Sequence, residues 1–161
     1  MAIMKKLLLT ITFAIFSTNV SAQDLDKGLE AYFSSDFATA WKELKPLAEQ
    51  GNPKAQQRVG TMYEKGYGAL QDFSEAVKWY TLSAKGGYFV GQYRLAEMYE
   101  KGLGVTQSNL LAHAWYNIAS ANGQIYSAGY RDKLAKIMSP NQVLIAQEIA
   151  KICMESDYEK C

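Results

Sequence analysis

The chain has 161 residues, of which 48% are hydrophobic and 20% are charged, and its formal net charge is only +1. Because 17 basic residues are balanced by 16 acidic ones, no basic surplus exists to release counterions from a phosphate backbone. The composition therefore argues against nucleic acid or an anionic membrane as the main partner, and the single histidine excludes a metal cluster built from histidines.

Residues 1–22 have the layout of a secretory signal peptide. Two lysines precede an apolar run from Leu7 to Phe16, and small residues follow up to Ala22, where cleavage is expected. The alternative is a membrane anchor, but the apolar run is well short of the ~20 residues that a spanning helix needs. We expect a periplasmic protein, or a secreted one, with no membrane span after cleavage.

Residues 23–51 predict a first helix pair, a degenerate version of the units that follow. Trp41 and Leu44 supply apolar positions of its second helix, and Gly51 ends that helix. Pro46 lies inside the helix, where proline removes a backbone hydrogen bond, and is expected to kink it.

Residues 52–87 and 88–123 are two copies of one helix–turn–helix unit, offset by 36 positions. The pair Trp79-Tyr80 recurs at Trp115-Tyr116, and each copy has a Gly-x-Gly turn between its helices. A single antiparallel helix pair cannot bury both of its apolar faces. Units of this length therefore stack on their neighbours, which predicts an all-α solenoid.

Local signals set the helix ends within these copies. Asn52 followed by Pro53 is a helix start, Asp72 and Glu75 have the spacing of a capping box, and Ser108 caps the second helix of the second copy.

Residues 124–161 predict a capping helix pair and a tail. Ser139 and Pro140 begin the last helix, whose expected apolar positions are Val143, Ile145, Ile149 and Ile152. Cys153 and Cys161 stand eight residues apart, and in an oxidising compartment such a pair predicts a local disulfide rather than a metal site or a nucleophile.

The pattern of small residues, glycine turn and Trp-Tyr pair from Ala55 to Gly87 resembles the Sel-one-like repeat, a relative of the tetratricopeptide repeat. The second copy departs from it at Gly91, Ala96 and Asn109. The resemblance implies a protein that holds other proteins, without a common catalytic residue or cofactor. It leaves open an envelope scaffold or adaptor and a periplasmic immunity protein that captures an antibacterial effector. A cell-wall hydrolase is the alternative from another class.

No residue pattern supports an enzyme. His113 is interpreted as a solvated or rim residue, and Glu97 and Glu100 as a solvated helix face rather than an acid–base pair. The two Gly-x-Gly turns lack the lysine and hydroxyl side chain that a phosphate-binding loop needs. We therefore expect no catalytic residue and no cofactor or metal.

The binding surface is expected on the concave side, along the first helix of each copy. Stacking of the tetratricopeptide type places these helices there, and the Trp-Tyr pairs are expected to pack between helices. Tyr93 and Tyr67 are predicted aromatic contacts, and Glu97 and Glu100 are expected to favour a basic segment of the partner. The predicted binding residues are Lys54, Gln57, Thr61, Glu64, Tyr67, Tyr93, Glu97 and Glu100.

Overall fold

The computed structural model describes residues 24–161, and every regular element within that range is an α helix. The predicted signal peptide lies outside these residues. Helix α1 covers 24–33 of the described chain, and it is followed by α2 Phe37–Glu49, α3 Pro53–Lys65, α4 Phe73–Lys85, α5 Phe89–Lys101, α6 Asn109–Ala121, α7 Ser127–Ala135 and α8 Pro140–Glu155. None of the helices in this range is long and apolar enough to cross a membrane.

Polar side chains at the predicted positions start the repeat helices. The Asn52 side chain accepts hydrogen bonds from the backbone N–H groups of Lys54 and Ala55, and Ser108 accepts one from Leu111. Each cap satisfies backbone donors that the first helical turn leaves free.

The capping box expected at Asp72 is only half formed. Its carboxylate accepts from the N–H groups of Ser74 and Glu75, but the Asp72 N–H donates to the carbonyl of Tyr63, 3.0 Å away, and not to the Glu75 side chain. A full capping box occurs instead at the start of α8, between Ser139 and Gln142.

Consecutive helices pack in chain order from α2 to α7, and α3 also contacts α5. The second helix of each pair begins at an equivalent position of the repeat. The capping residues Asp36, Asp72 and Ser108 follow one another at the repeat spacing.

Two clusters of buried residues form the core of residues 24–161. One is built around Leu44, Val59 and Met62 from α2 and α3, and the larger one includes Tyr80 and Tyr116 from the second helix of each repeat. Tyr63 packs against both clusters, so the apolar seam is continuous across the repeats. The Trp-Tyr pairs occupy this seam, because both tyrosines and Trp115 are buried and Trp79 is half-buried.

Helix α2 continues through Pro46 to Glu49 and is not divided by it.

The C-terminal segment differs from the predicted helix pair. Helices α7 and α8 each pack on α6 and make little or no contact with each other. The predicted apolar face of α8 was wrong in part, because its buried residues are Ala146, Ala150 and Cys153, whereas Ile145 and Ile152 are exposed. Small side chains let α8 lie close to α6, which shifts the buried stripe away from these isoleucines.

Candidate protein-interaction surface

The exposed sides of α1, α3, α5 and α7 form the surface that we call the odd-helix face. Most residues of α3 are buried. The more exposed side chains, such as Lys54, Arg58 and Lys65, recur at helical spacing and form a stripe along one side of the helix. The corresponding residues of α5 lie 36 positions later. The face comprises Phe33 on α1, Lys54, Arg58 and Lys65 on α3, Val90, Arg94, Glu97 and Lys101 on α5, and Tyr130 and Lys133 on α7.

Two predicted binding residues lie inside the molecule and not on this face. Gln57 is 1% exposed and Thr61 is 6% exposed. The Gln57 Nε2 donates to Thr61 Oγ1 at 2.8 Å, and the hydroxyl oxygen of Tyr80 lies 3.1 Å from the same oxygen. The prediction that Gln57 and Thr61 face solvent was therefore wrong, because it overlooked a buried polar network between α3 and α4.

The repeated glutamates Glu64 and Glu100 hold the two helices of each repeat together. Tyr80 OH donates to Glu64 Oε2 at 2.6 Å, and Tyr116 OH donates to Glu100 Oε2 at the same distance. Their recurrence thus reflects packing within each repeat. Burial, with the neighbouring carboxylate, raises the pKa of each tyrosine well above its ordinary value.

The pKa of Glu64 shifts in the opposite direction. Burial acts to raise it, but hydrogen bonds from Lys65 and Tyr80 outweigh burial and lower the pKa. The charged form of this half-buried carboxylate is the one that the fold stabilises.

Tyr93 is wedged between aromatic rings and does not project from the surface. Its ring centroid lies 5.7 Å from that of Tyr116 and 5.7 Å from that of Tyr130. Burial raises the pKa of its phenol. The structure therefore assigns Tyr93 to the junction between the second repeat and α7.

The negative charge expected at Glu97 is neutralised within α5. Arg94 Nη1 lies 2.8 Å from one carboxylate oxygen and Lys101 Nζ lies 3.3 Å from the other. Burial acts to lower the pKa of Arg94, but Glu97 raises it. With Glu100 occupied by Tyr116, the reason for expecting a basic partner no longer holds.

Arg58 is the prominent residue that the sequence analysis overlooked. Its guanidinium carbon lies 5.1 Å from the ring centroid of Tyr32 and 4.9 Å from that of Phe33. Arg58 forms no ion pair with residues 24–161, and its buried Nε has no hydrogen-bond partner there. Two signals in the sequence point to it: it lies one turn after Lys54, and Arg94 occupies the equivalent position of the next repeat.

Tyr67 and Lys54 remain accessible. The Tyr67 ring stacks on Phe37 with centroids 4.1 Å apart and keeps 36% of its surface exposed. Lys54 is half-buried and makes no ion pair within the described chain.

His113 is buried, so its interpretation as a solvated residue was wrong. It is 1% exposed, its Nδ1 has no hydrogen-bond partner in the described chain, and burial together with nearby Arg131 lowers its pKa. Because α7 packs on α6, the histidine is covered by a helix whose position the spacing did not predict. Residues 24–161 contain no group of three or more His, Cys, Asp or Glu side chains arranged to hold a metal ion.

Cys153 and Cys161 are positioned as a disulfide pair, with their Cα atoms 4.8 Å apart. Between them, the hydroxyl of Tyr158 accepts a hydrogen bond of 2.7 Å from the Asn122 side chain at the end of α6. Asn122 also donates to Gln92 Oε1 at 2.9 Å. The tail is thereby fixed to the second repeat.

Comparison with known proteins agrees with this helix order. Residues 53–88 and 90–124 match the family model described as Sel1 repeat, and these segments coincide closely with α3–α4 and α5–α6. No curated protein sequence matches the chain.

Two solved structures are similar to the chain. One is a protective antigen present in uropathogenic Escherichia coli strains that displays an SLR fold, with a TM-score of 0.80, 23% identity, and coverage of 86% of this chain and 31% of that protein. Another is a Sel1 repeat protein from Oxalobacter formigenes, with a TM-score of 0.65, 29% identity, and coverage of 68% and 45%. The chain thus spans less than half the length of either protein. Together with the helix order, these matches confirm the predicted α-solenoid.

Proposed function

Since the chain is a Sel1-like repeat protein, and such proteins are protein–protein interaction scaffolds, we propose that it is an exported, non-enzymatic scaffold that binds a partner through its odd-helix face. The proposed place of action is the bacterial periplasm, on the strength of the signal-peptide pattern in residues 1–22.

The observation that carries this proposal is a contrast between the inside and the outside of the repeats. Inside, equivalent residues make the same bonds, because Gln56 donates to the Ala48 carbonyl and Gln92 to the Ala84 carbonyl, each at 3.1 Å. On the odd-helix face, Lys54 of α3 is replaced by Val90 of α5, and Glu97 of α5 is partly exposed where α3 has the buried Thr61.

This contrast supports a binding role for the varied surface. Packing between equivalent helices favours similar residues in each repeat, whereas recognition of a particular protein favours different side chains along the surface. The members of the predicted set that remain accessible for binding are Lys54 and Tyr67.

A pull-down from a periplasmic extract, read out by mass spectrometry, tests the proposal. Phe33→Ala removes an exposed ring from the odd-helix face, and Leu82→Ala removes an exposed apolar side chain from α4 as a matched control. We expect wild type and Leu82→Ala to retain the same protein and Phe33→Ala to lose most of it. Equal retention by both variants would place the binding surface elsewhere.

A further inference from the structure

The two repeats differ in how they balance the charge of the odd-helix face. In α5, the basic residues Arg94 and Lys101 share the carboxylate of Glu97. In α3, the position equivalent to Glu97 is Thr61, which bears no charge and is buried. Arg58 thus occupies the position equivalent to Arg94, but α3 has no residue that corresponds to Glu97 and could pair with it.

We propose that α3 and the end of α1 bind an acidic segment of the partner protein, with a partner carboxylate on Arg58 and an apolar partner side chain against Phe33. This inference rests on the proposed function and specifies the chemistry of the same surface.

The first support is the charge of the α3 stripe. Lys54, Arg58 and Lys65 lie on one side of the helix, and among residues 24–161 only Lys65 of these three has a carboxylate partner, Glu64, at 2.6 Å. That carboxylate also accepts from Tyr80, so its charge is directed into the repeat. A ligand that meets this stripe therefore encounters uncompensated positive charge.

The second support is the setting of Arg58. Its guanidinium lies over two aromatic rings, which hold the planar group in one orientation. A guanidinium held in this way can offer two parallel N–H donors to a carboxylate at little cost in side-chain entropy.

The third support is the apolar contact beside it. Phe33 is 69% exposed although its ring lies within 5 Å of the Arg58 guanidinium carbon. A large exposed aromatic next to a fixed charge is typical of an interface that combines a buried anchor with an oriented ion pair. The charge and the ring together favour a protein segment with alternating acidic and apolar residues.

Selection from a random peptide display library tests this chemistry without knowledge of the partner. Wild-type protein should enrich peptides with several Asp or Glu residues and at least one aromatic or large aliphatic residue. Fluorescence anisotropy with a synthetic peptide of the enriched sequence then gives the affinity of each variant. Circular dichroism and the melting temperature establish that each variant is folded.

Three substitutions and one control give the decisive comparison. Arg58→Glu should weaken binding at least about tenfold, because a partner carboxylate would meet a like charge. Phe33→Ala should also weaken binding. Lys85→Glu, which reverses the charge of an exposed residue of α4, should leave binding unchanged.

Glu97→Thr gives α5 the residue that α3 carries at this position. It should strengthen binding by about threefold or more, since Arg94 and Lys101 are released from their carboxylate. This gain cannot arise from unfolding, so it remains informative if Arg58→Glu is unstable.

The outcomes separate this inference from the proposed function. Suppose that the enriched peptides are basic or neutral but bind Phe33→Ala more weakly than wild type. This result would contradict the proposal of an acidic partner segment and would still support binding through the odd-helix face. Retention of no acidic peptide, or acidic peptides that bind Arg58→Glu and wild type equally, would also overturn the inference. If no variant of this face altered the binding of any enriched peptide, both proposals would be contradicted.

Discussion

Thr61 and Glu97 occupy the same position in successive repeats, and the difference between them determines the charge of the exposed surface. Thr61 belongs to a buried hydrogen-bond network with Gln57 and Tyr80, whereas Glu97 neutralises two basic side chains of its own helix. A single position thus serves packing in one repeat and charge balance in the other.

Tyr93 is expected to contribute to stability. Its ring fills the space between Tyr116 and Tyr130, so Tyr93→Ala should leave a cavity and lower the free energy of unfolding by about 3 kcal/mol. Tyr126→Ala, which removes a mostly exposed tyrosine, is the control and should change it by less than about 0.5 kcal/mol. Urea unfolding followed by circular dichroism measures both, and equal effects would contradict the packing of Tyr93 between these two rings.

Glu64 should make the stability of the fold depend on pH. Its pKa is lowered in the folded state, so its charged form adds stability above the unfolded pKa near 4.5, and that stability is lost as the pH falls through the lowered folded value. Glu64→Gln should therefore cost about 1 kcal/mol at pH 7, and the difference from wild type should shrink in acid. Thermal unfolding between pH 7 and pH 3 measures this, with Glu75→Gln as control; a difference independent of pH would contradict the prediction.

The turns between the two helices of each repeat bring neighbouring helix pairs into close contact. Gly104 has φ +68°, and a Cβ there would lie 2.2 Å from the carbonyl oxygen of Phe73, at the start of α4. Gly104→Ala therefore combines backbone strain with a steric clash and should destabilise the protein by about 3 kcal/mol.

Gly123 provides the matched control for this turn. It also has a positive φ, +99°, but a Cβ there would have no atom of the described chain within 4 Å. Gly123→Ala should cost only about 1 kcal/mol, which is the backbone strain alone. Denaturant unfolding of both variants measures the difference, and equal costs would mean that the contact with Phe73 does not constrain the turn.

The C-terminal tail should stabilise the second repeat through the cysteine pair. We predict that Cys153 and Cys161 are disulfide-bonded in the exported protein, and that Cys161→Ser lowers stability by about 2 kcal/mol because the short loop is no longer closed. A reductant should lower the melting temperature of wild type to that of the variant and leave the variant unchanged. Mass spectrometry that found two free thiols in periplasmic protein would refute the disulfide.

The order and type of the helices could be predicted because the sequence contains two copies of the repeat unit. Agreement at Trp79 and Trp115, and capping residues such as Asn52 and Ser108, determined the helix boundaries almost to the residue. The C-terminal helices were less predictable, because α8 packs on α6 through Ala146 and Ala150, and small residues carry little signal in a periodic pattern.

The exposed surface was harder to predict than the helices. Gln57 and Thr61 were wrongly assigned to solvent, because the residue type alone does not distinguish a polar side chain in a buried hydrogen-bond network from one in water. Arg58 was missed because its importance depends on Tyr32 and Phe33 of another helix and on the absence of a carboxylate at position 61.

At the scale of the whole molecule, the solenoid has one surface formed by its odd-numbered helices and another formed by its even-numbered ones. Packing between repeats uses recurring residues, and the odd-helix face shows the differences in charge between repeats. A partner that recognises these differences would lie across α1 and α3, where Arg58 and Lys54 have no carboxylate partner in the described chain.

Site-specific photo-crosslinking in living cells tests this account most directly. A photoreactive amino acid is placed at Lys54 on α3 or at Lys78 on α4, and the adducts are identified by mass spectrometry. We predict that the probe at position 54 crosslinks to a specific protein and that the probe at position 78 does not. A specific adduct from position 78 with none from position 54 would contradict the claim that the odd-helix face binds the partner.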